Sequence, residues 1–385
     1  PLPPPPGGIA TWTRILLREL SGNAEVQVAH LDTAVRWRPV THLSRPARLV
    51  GGSVQALRDY VRFLRMIRQV RPAVVHICTS AGPALRKDLL MLQAARKRGI
   101  PSIIHYRMGR IPDIYGDNSQ RSGTLLRASD SARATGATKD SPEAKLLRMC
   151  TTTATTSLVL DRRSLMCLRK VCPNANVRLM PNMVDVQAVD SALAAYEPPP
   201  ETRLAVSFVG HVLESKGAGD LVRACASSGL GIVLHMVGPT EEQYRRELEA
   251  VVAGSPLELR FHGTLSHEES LRTIASGDIF ALPSHSEGFP NVVAEAMACS
   301  RPVLGSAVGA IPDMLNVEGA EPCGVCVPPG NTDALAEALL RLASDGDLRR
   351  RMGMAGRRRV ETEYALNVVT NKLVALWREL AECSH

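Results

Sequence analysis

Short runs of apolar and β-branched residues alternate along this chain with longer stretches in which apolar positions recur every three or four residues. That is the pattern of parallel strands covered by helices. In the first half it predicts strands over 26–31, 73–78, 102–106, 155–160 and 177–180, and helices over 9–20, 54–70, 84–98 and 162–170. The second half repeats it, with strands over 204–209, 231–237, 257–261 and 278–282, a further apolar segment over 302–305, and closing helices over 331–343, 348–363 and 366–380. The fold class expected is α/β, built as two doubly wound, Rossmann-like domains. Gly7-Gly8 open the first helix directly after the proline-rich PLPPPP. No β-branched run precedes them, and because the first strand of such a domain is central, a further strand is expected upstream of Pro1.

A length of 385 residues suits two domains, each with its own core. Residues 1–185 form the first expected domain and 202–364 the second, with the helix over 365–385 left to pack back on the first. The intervening 186–202, which holds Pro198-Pro199-Pro200, reads as the linker. Residues 117–142 are small and polar and read as a mobile loop.

No apolar run reaches the roughly eighteen residues of a spanning helix and no signal peptide is visible, so a cytoplasmic protein is expected. Nine scattered cysteines fit reduced thiols better than a disulfide framework. The net charge of +8 conceals a division: residues 1–190 carry 29 Lys and Arg against 13 Asp and Glu, and the remainder carries 17 against 25. A basic half of this kind expects an anionic membrane surface or a phosphorylated partner rather than nucleic acid, unless it is only a solvated face. Arg58, Arg62, Arg65, Arg68 and Arg71 recur at helical spacing beside Leu57, Val61 and Leu64, a candidate membrane-docking stripe.

The stretch 283–313, PSHSEGFPNVVAEAMACSRPVLGSAVGAIPD, concentrates the candidate chemistry. A buried strand ends at Pro283 and a polar loop leads through Glu287 and Gly288 to Phe289, Pro290 and a helix starting near Asn291. Unpaired N–H groups at such a start suit a phosphate. Glu287 in the loop and Glu295 in the helix, expected to face one cleft, can accept hydrogen bonds from sugar hydroxyls; the plainer reading is that both support the helix N-terminus. Cys323-Gly-Val-Cys326 is a lone C-x-x-C, a weak metal or redox signal, and Asp345-Gly-Asp347 lies between helices, where a turn and N-cap is the plainer reading. No G-x-G-x-x-G follows a strand, which argues against a nicotinamide enzyme.

EGFPNVVAEAMACSRPV with the following G-x-I-P-D closely resembles the donor-site signature of glycosyltransferase family 4, the retaining nucleotide-sugar transferases of GT-B fold. The resemblance covers nearly the whole chain and is strongest over 203–313. It implies two Rossmann-like domains facing a central cleft, with the donor held mainly by the second and the acceptor by the first. It further implies that Lys216 and the helix start near Asn291 stabilise the leaving diphosphate without a metal or other cofactor, the donor phosphate itself taking the acceptor proton. Lys216-Gly217 is kept from the family's G-R-x-x-x-x-K-G, with His211 at the Arg position. His262-Gly263-Thr264-Leu265 matches the loop at the nucleobase, Gly7-Gly8 the glycine pair lining the cleft, and Pro181-Asn182-Met183-Val184-Asp185 the exit from the first domain. His105-Tyr106-Arg107-Met108-Gly109 stands where the family has an H-x-H-G-like pattern. His105 is then the residue expected at the donor sugar, unless the functional histidine is the second, which Arg107 replaces. Catalytic roles are expected of Glu287, Lys216 and His105, and donor contacts also of Gly288, Phe289, Pro290 and Glu295. The implied reaction is retaining glycosyl transfer to a glycan, lipid-linked or small-molecule acceptor. The rivals are a sugar-nucleotide epimerase or hydrolase of the same fold and a nucleotide-sugar-binding protein without catalysis.

Overall fold

A computed structural model describes residues 2, 8–34, 45–116, 141–198 and 201–383. Gly7 and nearly all of the polar stretch 117–142 lie outside them. The chain divides into two compact units.

The first unit is built on a four-stranded parallel sheet in the order β1 (Val75–Thr79), β2 (Ser102–Tyr106), β3 (Thr156–Val159), β4 (Val177–Leu179). Its strands are apolar on both faces because helices cover both, as parallel sheets require. Ile104, Tyr106 and Val159 meet Leu85, Leu92, Leu147 and Leu168 in one core. The Tyr106 hydroxyl is satisfied there by Thr151 Oγ1 and the Leu147 carbonyl. The C-terminal helix Leu366–Glu382 belongs to this unit from Val369 on, where Trp377 reaches His76 and Glu379 pairs with Arg178.

Several sequence expectations are corrected here. Residues 26–31 form no strand; the Val26 N–H at the start of the segment turns back to Asn23 Oδ1. The helix expected over 54–70 begins at Arg45. A helix Pro142–Thr153, not expected from periodicity, is capped by Ser141 with Pro142 in its first turn. The expected linker opens with the helix Val186–Leu193, capped by Asp185.

The second unit carries a six-stranded parallel sheet in the order β10-β9-β8-β5-β6-β7, with β5 Leu204–Val209, β6 Ile232–Val237, β7 Glu258–Gly263, β8 Ile279–Leu282, β9 Val303–Ser306 and β10 Gly324–Val327. From β5 the chain winds outward through β6 and β7, then returns to place β8 on the other side of β5. The carboxyl ends of β5 and β8 therefore flank the switch point where open α/β sheets bind ligands. Cys323 and Cys326 belong to the β10 segment, where burial pushes their thiols up to about 11 and about 12, and Asp345 caps the helix Gly346–Arg359.

Candidate functional site

Two turns meet at that switch point. After β5 the chain passes His211 and makes a short 3₁₀ turn, Glu214–Lys216, ended by Gly217 at φ 70°. A Cβ there would lie 2.0 Å from the carbonyl oxygen of Pro283, at the end of β8. Glycine is therefore needed twice over, for its left-handed backbone and for the close approach. This contact brings Lys216 to the loop after β8, where its Nζ lies 2.7 Å from Glu287 Oε1. Ser284 Oγ donates to the same oxygen at 2.8 Å. Both partners fall on Oε1; among the described residues Oε2 takes no hydrogen bond, and the Lys216 ammonium keeps N–H groups beyond the one spent on Glu287.

The Glu287 loop is held from behind by the G-x-I-P-D segment. Gly309, at φ 53°, lets its backbone press on the loop so closely that a Cβ would lie 2.4 Å from Glu287 O and 2.6 Å from Gly288 O. The Ala310 N–H donates to the Gly288 carbonyl at 2.8 Å. Pro290 then precedes the helix Asn291–Ala298 as its N-cap residue.

Sequence reasoning passed over Asp220. Its Oδ2 accepts from His285 Nε2 at 2.7 Å and its Oδ1 from Arg223 at 2.6 Å. Burial alone would raise this carboxyl, but the hydrogen bonds and charges of His285 and Arg223 hold it below the ordinary aspartate value. His285 is thereby tied to the first turn of the helix after Gly217. The S-H-S-E string was the only local signal, and it did not name a partner 65 residues away.

The ends of β5, β6 and β7 form an open pocket of about 270 Å³. His211, Thr264 and Leu265 line it together with Gly210, Gly238 and Ser270. The floor is tight because Gly238, at φ 135°, packs on the Gly210 carbonyl, where a Cβ would lie 2.0 Å away. His211, Gly263 and Thr264 are exposed and Leu265 is half-buried, so the cavity offers polar edges and an apolar wall.

Other expected site residues are arranged differently. Glu295 Oε1 is 3.0 Å from His267 Nε2, at the start of the neighbouring helix His267–Ser276. Phe289 is buried, with its ring edge-on to Tyr364. Gly8 is exposed at the start of the helix Gly8–Glu19, while Gly7 lies outside the described residues. His105 is fully buried in the first unit, between Trp12, His76 and Arg107. Burial, then the Arg107 charge, holds its imidazole well below the ordinary histidine value, so it is neutral and touches protein on every side.

This arrangement of two parallel α/β units is the GT-B fold. Sucrose-phosphate synthase from Thermosynechococcus elongatus matches over 98% of this chain and 94% of its own, with TM-score 0.67 and 21% identity. HepE of Anabaena, solved in complex with UDP, matches over 85% and 84% with TM-score 0.62 and 13% identity. At the level of sequence, the family profile "Glycosyl transferases group 1" matches residues 192–359. Among curated proteins the chain is similar to the sulfoquinovosyl transferase SQD2 of Arabidopsis thaliana, 34% identical over 130 residues, which are 34% of this chain and 25% of that protein. It is also similar to the capsular polysaccharide biosynthesis glycosyltransferase CapM of Staphylococcus aureus, 27% identical over 179 residues, 45% of each. These matches span a quarter to under half of the relatives' lengths.

Proposed function

We propose that this protein is a retaining glycosyltransferase that moves a sugar from a nucleotide diphosphate sugar to an acceptor without a metal ion. The observation that carries the reading is the Lys216–Glu287 pair at the β5/β8 switch point. Its remaining ammonium N–H groups and the N-terminus of the helix Asn291–Ala298 suit a diphosphate, and Glu287 Oε2 suits a sugar hydroxyl. In this reading the pocket lined by His211, Thr264 and Leu265 takes the nucleobase end. As the glycosidic bond breaks, Lys216 and the helix dipole stabilise the charge gathering on the leaving diphosphate, the main electrostatic contribution to the rate. Retention accords with relatives named for α-linked products, such as an alpha-D-kanosaminyltransferase of Streptomyces kanamyceticus. Because His105 is enclosed, its part in this scheme is to fix the first unit rather than to touch the donor.

A membrane-associated acceptor is part of the same proposal. Arg58, Arg62, Arg65, Arg68 and Arg71 are all exposed, and so are Val54, Leu57 and Val61. Leu64 instead packs inward beside Phe63 and Ile67. Asp59, the carboxylate on the same helix, is buried and lies 3.8 Å from Lys87, so the stripe keeps its charge.

A thermal-shift screen of nucleotide sugars tests the donor assignment: at least one nucleotide diphosphate sugar, and its free nucleoside diphosphate, should raise the melting temperature. Transfer should then persist in excess chelator, and product analysis with donor alone should give neither epimer nor rapid hydrolysis. No stabilisation across the panel would sink the donor site; activity lost to chelator and restored by magnesium would sink the metal-free mechanism.

A further inference from the structure

The turn after β5 and the loop after β8 are held together by more than the Lys216–Glu287 pair. Gly217 packs on the Pro283 carbonyl with no room for a Cβ. The His285 N–H donates to the Ser215 carbonyl at 3.0 Å. The His285 ring reaches on to the helix Ala218–Ser227, where Nε2 lies 2.7 Å from Asp220 Oδ2. Alternate residues of the loop, Pro283, His285 and Glu287, thus each touch the turn or the helix that continues it.

Lys216 gains most from these contacts. Its turn is three residues long, Glu214–Lys216, and its side chain is 33% exposed, so little packing restrains the stem. A four-carbon stem in that setting samples many rotamers. His285 grips the chain on both sides of it, at Ser215 through the backbone N–H and at Asp220 through the ring. Glu287 follows His285 by two residues, so the grip that places the base of the lysine also places the carboxylate it meets.

Asp220 is arranged as an anchor rather than as a ligand contact. It is 8% exposed, and both of its oxygens are engaged, Oδ2 by His285 and Oδ1 by Arg223 at 2.6 Å. It stands in the first turn of its helix, where the positive end of the dipole favours a carboxylate. Burial alone would neutralise it; His285 and Arg223 keep it ionised.

We propose that Asp220 and His285 are positioning residues for the Lys216–Glu287 pair, fixing the turn after β5 against the loop after β8 so that ammonium and carboxylate are set before the donor arrives. Charge placed in advance stabilises the leaving diphosphate without reorganising as the glycosidic bond breaks, so losing the tie acts on kcat more than on KM. The effect on turnover rests on the glycosyl-transfer reading; the mechanical tie among the four residues does not.

The test is a double-mutant cycle on the full chain, run well below its melting temperature. His285→Ala removes the ring, Asp220→Asn removes the charge that holds it, and His285→Gln keeps an N–H donor on a similar stem. His285→Ala and Asp220→Asn should each lower kcat by about fivefold or more, with KM for the nucleotide sugar moving less than about threefold. His285→Gln should stay within about threefold of the wild-type kcat. In a Lys216→Met background His285→Ala should cost less than about twofold further, because the ammonium it places is already gone. Circular dichroism melts identify any variant that fails to fold, and Asp220→Asn with His285→Gln then carries the comparison. Wild-type kcat in both Asp220→Asn and His285→Ala, a loss confined to KM, or an equal loss of kcat with and without Lys216 overturns the proposal. A pair that only supports the fold gives the first of these results, with a lower melting temperature.

Urea melts of wild type, His285→Ala, Lys216→Met and the double variant need no substrate. If His285 sets Lys216 on Glu287, the two changes together destabilise less than the sum of each alone. Such melts, with no nucleotide sugar ever turned over, would sink the transfer reading and leave the positioning in place. Turnover in wild type with additive melts and rate losses that multiply would sink the positioning and leave the transfer reading.

Discussion

If the Lys216–Glu287 pair acts as one device, its two halves should not be separable. The pair is short, 2.7 Å, with Glu287 10% exposed and Lys216 33% exposed. A charge-assisted hydrogen bond contributes about 1.5–3 kcal/mol when shielded, and the exposure of Lys216 discounts this to about 1–2 kcal/mol here. Glu287→Gln keeps the shape and the Ser284 contact but removes the charge; Lys216→Met keeps the stem and removes the ammonium. Each should lower kcat/KM for the nucleotide sugar by about tenfold or more. Combining them should cost little more than the worse single change, leaving a coupling energy of about 1–2 kcal/mol. Steady-state kinetics on the four proteins, with melting temperatures to exclude misfolding, complete the cycle. Losses that simply multiply would show that the two residues work independently, and single variants within about twofold of wild type would remove both from the site.

Gly309→Ala should destabilise the protein by at least about 2 kcal/mol and weaken donor binding, because its Cβ can fit only by displacing the Glu287 loop. A melting temperature unchanged from wild type would contradict that packing. Acid should loosen the first unit through His76 and His105. Burial and then Arg107 lower His76 from 6.5 to about 3, so between those values the unfolded chain binds the proton and the native one does not. Stability is thus full above the unfolded value and declines as pH falls, by on the order of 2 kcal/mol for His76 alone at about pH 5. Urea midpoints that do not fall between about pH 7.5 and about pH 5 would refute this. Anionic vesicles should sediment the protein more than neutral ones, in a salt-sensitive manner at about 1 kcal/mol per arginine, and reversing Arg62, Arg65 and Arg68 to Glu should abolish the difference. Equal binding to both vesicle types would refute the membrane stripe.

Much of the candidate site in the second unit is written locally. The β8 strand, the loop through Glu287 and the helix at Asn291 are contiguous, and each step follows from short-range rules: an apolar run, glycine and proline punctuation, a helix start. Gly217 and Gly309 were legible as glycines in motifs, but the reason for them was not. It is a carbonyl belonging to another segment in each case, Pro283 for one and Glu287 for the other.

What the sequence by itself determined was therefore the alternation of elements, the α/β class and the residue types gathered after β5 and β8. What only the tertiary structure decided was which of those residues meet. Strand order is set by how helices cover the sheet, and no local pattern states that β8 returns to lie against β5. That return brings Lys216 to Glu287 across 71 residues. His105 makes the same point in the first unit. At a strand end it read as a residue open to a ligand; Trp12, and His76 with Trp377 behind it, brought from distant parts of the chain, pack against it and bury it. Periodicity records which side of an element is apolar, whereas enclosure depends on what distant segments bring to that side.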